Sequence, residues 1–125
     1  MRHVLDAGAL MAVERGDRDM IGRLRLAHGR GDEVVTHGGV VGQVWRGGAR
    51  QARLAAALQG IDIRPLDGTL GRRAGSLLAA TGGRDVIDAA VALLAGDGDE
   101  ITTSDPDDLL PLVVVTGAHV ELRRV

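Results

Sequence analysis

The chain has 125 residues and a formal net charge of −2, with 15 basic and 17 acidic residues and no cysteine. That length suits one domain able to bury roughly two-thirds of the surface its unfolded form exposes, so neither disulfide nor structural metal is needed for folding. The absence of cysteine removes thiolate nucleophiles, zinc–thiolate sites and redox switches, and the slightly acidic balance excludes a strongly basic nucleic-acid binder.

In chain order, His3-Val4-Leu5 reads as a buried strand and Gly8 to Glu14 as a helix. Asp17 to Ala27 follows as a second helix with Met20, Ile21, Leu24 and Leu26 on its apolar side. Glu33 to Thr36 is a second strand, and Val40 to Arg46 with Arg50 to Leu58 form a helical pair interrupted at Gly47-Gly48. Ile61 to Arg64 is a third strand stopped by Pro65, and Leu70 to Ala80 is a helix ended by Thr81-Gly82-Gly83. A helix over Val86 to Leu94 leads to a fourth strand at Glu100 to Thr103. A short helix follows Pro106, and His119 to Arg123 is a fifth strand. Short apolar segments alternating with longer helical ones predict an α/β fold with a parallel sheet. The longest apolar run, Leu109 to Val115, is broken by Pro111 and too short to span a bilayer. The N-terminal segment lacks the apolar stretch of a signal peptide, so a cytoplasmic protein is expected.

In βαβ units each strand's carboxyl end and each following helix's N-terminus share one sheet edge, where open α/β folds bind ligands. Asp6 follows the first strand, Asp85 and Asp88 open the helix before the fourth, and Asp105, Asp107 and Asp108 follow the fourth. Each is also a plausible helix cap: Asp6 alone, Asp85 with Asp88 as a capping box, Asp105 with Pro106 at the first helical position. Together, however, carboxylates crowded at one edge raise one another's pKa unless a cation neutralises them. All-oxygen ligation suits Mg²⁺ or Mn²⁺.

The segments Val4-Leu5-Asp6-Ala7-Gly8-Ala9-Leu10, Asp88-Ala89-Ala90-Val91-Ala92 and Thr102-Thr103-Ser104-Asp105, with Asp108 beyond, resemble those of PIN-domain proteins. The likeness is greatest to the VapC-like toxin ribonucleases of bacterial toxin–antitoxin pairs. This resemblance implies one PIN-like domain over residues 1–125, with a five-stranded parallel sheet in the order 3-2-1-4-5. It also implies Mg²⁺- or Mn²⁺-dependent cleavage of RNA, a homodimer, and a small antitoxin as partner. By motif position the metal-binding and catalytic acids are Asp6, Asp88 and Asp105, with Asp108 or Asp107 as a weaker fourth ligand.

Two positions depart from the pattern. Ala7-Gly8 supplies no hydroxyl after the first aspartate, and Gln43 stands where the family carries glutamate. Gln43 is therefore a weak ligand or an outer hydrogen-bonding residue, and the alternative function is a catalytically weakened PIN-fold module that binds RNA or protein.

Arg46, Arg50 and Arg53, at i, i+4 and i+7, would line one helical face as a phosphate track or a solvated surface. Trp45, the only aromatic residue, reads as core or interface packing before base stacking. His3, His28, His37 and His119 lack metal-ligand spacing and read as incidental. Leu10, Met11, Met20 and Leu24 exceed what a minimal core needs and suggest a covered partner surface on the first two helices. A phosphoacceptor receiver domain is disfavoured because the chain has no lysine. A haloacid-dehalogenase-type phosphatase would want an acid where Gly8 stands.

Overall fold

The computed structural model describes residues 1–125. Five parallel strands, β1 (Arg2–Leu5), β2 (Glu33–His37), β3 (Asp62–Arg64), β4 (Glu100–Thr103) and β5 (Glu121–Arg124), form one sheet in the order β3-β2-β1-β4-β5. This is the order implied by the family resemblance. β1 lies between β2 and β4, with Val4 opposite Val35 on one side and Ile101 on the other.

Seven α-helices cover the sheet. Helices α1 (Ala7–Glu14), α2 (Arg18–Gly29), α3 (Gly38–Val44) and α4 (Ala52–Leu58) pack together as one layer. Helices α5 (Gly68–Thr81), α6 (Val86–Leu94) and α7 (Pro106–Thr116) pack against one another as the other. A parallel sheet covered on both faces needs strands that are apolar on both faces. Val4, Val35 and Ile101 accordingly have no exposed surface, and Leu5 and Val34 almost none. Without Phe or Tyr, the core is filled by Leu, Val, Ile and many alanines, whose small side chains let α6 approach the sheet closely.

Four features differ from the sequence expectations. The helix after Pro106 is eleven residues long and runs through Pro111. Proline there removes one helical hydrogen bond, but burial of Leu109, Leu112 and Val113 along one side carries the helix past it. β5 starts two residues late, because the His119 N–H donates to Asp97 and its carbonyl accepts from Gly98.

The third correction concerns the apolar residues of the first two helices. Leu10, Met20 and Leu24 belong to the core at 0%, 2% and 8% exposure, and of that group only Met11 is exposed. Leu26, expected on the apolar side of α2, faces outward, as do Leu110, Val114 and Val115 on α7.

The fourth is the histidine reading. His37 is wholly buried and caps α3: its Nδ1 accepts from the Gly39 N–H, and its Nε2 lies 3.0 Å from the Ile87 carbonyl in α6. Because Nδ1 accepts, Nε2 must carry the proton, so the ring is neutral and ties α3 to the start of α6. Burial, the dominant effect, holds the His37 pKa below the usual histidine value. His3 is likewise engaged, with Nε2 2.9 Å from Asp32.

Candidate active site

β1 and β4 are neighbours, so their ends place Asp6 and Asp105 at one edge of the sheet. The ladder extends one step past β1, since the Asp6 N–H donates to the Thr102 carbonyl at 3.2 Å. The Asp6 carboxylate is almost buried, accepts from the Ala9 N–H at 3.0 Å and thereby caps α1. Burial raises its pKa. Hydrogen bonds from the Thr103 hydroxyl, first, and then from the N–H groups of Ala9, Gly8 and Ser104 oppose that rise.

Thr103 was not singled out by its sequence position, yet it joins two of the expected acids. Its buried hydroxyl faces the Asp6 carboxylate, whose pKa it lowers, and accepts from the Asp105 N–H at 2.9 Å. The signal was the hydroxyl run Thr102-Thr103-Ser104 immediately before Asp105. Ser104 also compensates for the small residue after Asp6. A Cβ built on Gly8 would press against the Ser104 hydroxyl and stand 2.5 Å from its Cβ, so only glycine allows Ser104 to occupy that space.

The helix start holding Asp85 and Asp88 divides their labour. Asp85 caps α6, accepting from the N–H groups of Ile87 at 2.9 Å and Asp88 at 3.1 Å. Asp88, one turn into the site, is not used as a cap. Its pKa is pushed up to about 6 by partial burial, the largest cause, and then by the negative charges of Asp85, Asp6, Asp108 and Asp105. Asp105 makes no capping bond to α7 through its side chain. Its carboxyl faces that of Asp108, whose pKa is raised first by the proton the two can share and then by the charge of Asp105.

The acids are therefore near enough to repel, and they offer the hard oxygen donors that suit Mg²⁺ or Mn²⁺. No three His, Asp or Glu side chains are disposed to hold an ion as they stand. Repulsion is felt over longer distances than ligand bonds, so the acids raise the Asp88 pKa without standing at ligating distance from one another.

Gln43 is exposed on α3, one turn beyond Gly39. Gly39 faces Ile87, whose Cδ1 would lie 2.5 Å from a Cβ there, so Gln43 is on the side of α3 that looks toward α6. The three arginines expected on one helical face do not share a helix. α3 ends at Val44, Gly47 and Gly48 take φ of 83° and 91°, and Arg50 lies in a 3₁₀ turn over Ala49–Gln51. Gln51, buried at 6% exposure, fixes this break by accepting from the N–H groups of Arg46 and Gly47 and donating to the Val44 carbonyl. Arg46 bonds the carbonyls of Gly42 and Trp45, and Arg53 that of Glu14. Trp45 is 41% exposed and is not a core residue.

Two concavities flank the aspartates. One, of about 340 Å³, lies within the α5–α7 layer and is lined by Asp85, Asp88, Asp108 and Arg84 among others. The other, of about 240 Å³, lies beyond Ser104 toward α1 and β5.

No family model matches the chain, and neither does any curated protein. Among solved structures, a chain from the crystal structure of VapBC2 from Rickettsia felis, bound to a DNA fragment from its promoter, superposes with a TM-score of 0.66. The match covers 100% of this chain and 99% of that one at 14% sequence identity. At that identity the likeness establishes architecture and not chemistry. With its five parallel strands in the order 3-2-1-4-5 matched over the whole length, the chain has a PIN-like fold.

Proposed function

We propose that the protein is a divalent-metal-dependent endoribonuclease that hydrolyses RNA phosphodiester bonds, acting as the toxin of a toxin–antitoxin pair. The observation that carries this reading is the Asp88 carboxyl, raised to about 6 among four other aspartates at the carboxyl edge of the sheet. A fold keeps such mutually repelling groups together at a cost in stability, which a bound cation offsets. Asp6, Asp88 and Asp105 would hold Mg²⁺ or Mn²⁺, with Asp108 as a further ligand and Gln43 as a weak ligand or outer hydrogen-bonding residue. When bound, such an ion supplies Lewis-acid stabilisation of the phosphodiester oxygens and an acidified water. The chain's own part is orientation. Thr103 and the Ala9, Gly8 and Ser104 N–H groups hold the Asp6 carboxylate, and the Asp105 backbone is pinned through the Thr103 hydroxyl.

The likeness to a VapBC2 chain supports a small antitoxin as partner and a second copy of the chain in a homodimer. No helix is long and apolar enough to cross a membrane, which agrees with a cytoplasmic site of action.

The neutral Gln43 favours a second reading, a weakened PIN-fold module that binds RNA or protein without cutting. One assay separates the two: purified protein with total RNA and Mn²⁺, beside Asp6→Asn. Cleavage by the parent and none by the variant is expected. Equal cleavage by both would overturn the site, and none by either would favour the binding module.

A further inference from the structure

The concavity beyond Ser104 has a chemistry opposite to that of the acidic edge it adjoins. Gly8, Ser104, Arg15 and Arg124 line it, with Met11 and Val125 as its apolar wall. Ser104 belongs to both places at once. Its N–H lies near enough to the Asp6 carboxylate to lower the Asp6 pKa, its side chain fills the space beside Gly8, and its carbonyl accepts from Arg124 Nη1 at 3.1 Å.

Arg124 is held firmly at the end of β5. The next N–H, that of Val125, donates to the Thr103 carbonyl at 2.9 Å, and the Arg124 carbonyl accepts from Arg23 at 3.1 Å. The bond to Ser104 uses one of the five N–H donors of the Arg124 guanidinium. Arg124 has no carboxylate within ion-pair distance, unlike Arg2, Arg23 and Arg64, which are paired with Glu33, Asp19 and Asp62. Arg15 reaches only Asp17, at 3.9 Å, too far for a hydrogen bond. Arg124, without an ion-pair partner, and Arg15, paired only loosely with Asp17, thus face one small cavity, and a guanidinium fork suits phosphate oxygens.

We infer that this cavity seats a backbone phosphate of single-stranded RNA, next to the phosphodiester presented to the aspartates. The inference rests on the ribonuclease reading and names where its substrate is gripped. A strand with one phosphodiester at Asp6 and Asp105 has its neighbouring phosphate one nucleotide away, and the cavity begins at Ser104, the residue between Thr103 and Asp105. Attraction at Arg15 and Arg124 offsets the repulsion that the acids exert on the same strand, in a protein whose net charge is −2.

The test is binding of a fluorescein-labelled single-stranded oligoribonucleotide by anisotropy, in Ca²⁺ to occupy the acids, over a range of KCl concentrations. The proteins compared are the parent, the double variant Arg15→Gln/Arg124→Gln and, as a control for loss of charge, Arg72→Gln/Arg73→Gln on α5. Each phosphate neutralised on a single strand contributes about 0.7 to the slope of log affinity against log salt. The Arg15/Arg124 variant should therefore lose about 0.7 in slope and bind on the order of tenfold more weakly at low salt, while the control keeps the parent's slope. A parent slope in the Arg15/Arg124 variant, or an equal loss in the control, would overturn the subsite and leave the nuclease reading standing. A parent that does not bind RNA at all would overturn both.

Discussion

Asp88→Asn should make the metal-free protein more stable at neutral pH while removing its response to metal. The ordinary aspartate pKa of 3.8 is raised to about 6 at Asp88, chiefly by burial and then by four neighbouring aspartates. A rise of about two units at about 1.36 kcal/mol each amounts to roughly 3 kcal/mol of destabilisation of the ionised form. Asp88 is half-buried and solvent screens its neighbours, so about 1 to 2 kcal/mol is the expected net gain for the neutral amide. That corresponds to roughly 3 to 8 °C in melting temperature for a domain of this size. The sign follows from proton linkage. Between pH 3.8 and about 6 the folded parent binds more protons than the unfolded chain, so its stability falls as pH rises through that window. The advantage of Asp88→Asn should be absent below pH 3.8, grow through the window and level off above about pH 6. Thermal denaturation in EDTA across this range reads the effect directly. Mn²⁺ at about a hundredfold over its dissociation constant should then stabilise the parent by about 2.7 kcal/mol and reverse the ranking. A variant no more stable than the parent in EDTA at pH 7, or one stabilised equally by Mn²⁺, would refute the reasoning.

The remaining predictions concern the frame of the site. Gly8→Ala should cost about 1 to 3 kcal/mol, because the new methyl meets both side-chain atoms of Ser104. Adding Ser104→Gly should recover much of that loss, and chemical denaturation of the two single variants and the double variant measures the coupling. His37 must stay neutral to accept from Gly39, and its pKa is depressed in the fold. The unfolded chain therefore takes up the proton first, and the His37 contribution should decline as pH falls below about 6.5. In chelator, His37→Asn should lack that slope, and a parallel pH profile in the two proteins would show that His37 does not titrate this way. Gln43→Glu, on the side of α3 toward α6, should tighten Mn²⁺ binding in calorimetric titration at constant pH and salt. Unchanged affinity would mean that position 43 does not face the ion.

The parallel βαβ pattern and the sheet edge to which the aspartates belong were legible in the sequence. A parallel βαβ chain returns every strand in the same direction, so Asp6 and Asp105 had to share an edge once β1 and β4 were neighbours. That neighbouring was supplied by the resemblance, and the sheet bears it out. Local chemistry was also legible where it depends on a few successive residues, as in the caps at Asp6 and Asp85. Sequence distance conceals contacts between elements. Thr103 reaching Asp6, Ser104 occupying the space beside Gly8, and His37 tying α3 to Ile87 each join residues from separate segments. Helical periodicity assigns an apolar face without saying what covers it. The apolar residues of α1 and α2 therefore looked like a partner surface until packing against the sheet and α4 buried Leu10, Met20 and Leu24. The same limit applied to Arg46, Arg50 and Arg53. Their spacing suits one helix, but two glycines at positive φ, locked by the buried Gln51, turn the chain between them. The sequence determined which groups stand at the carboxyl edge, because strand direction is a property of the chain. Only the tertiary structure decided how strongly those carboxylates act on one another, because Asp6, Asp88 and Asp105 are brought together from elements far apart in sequence.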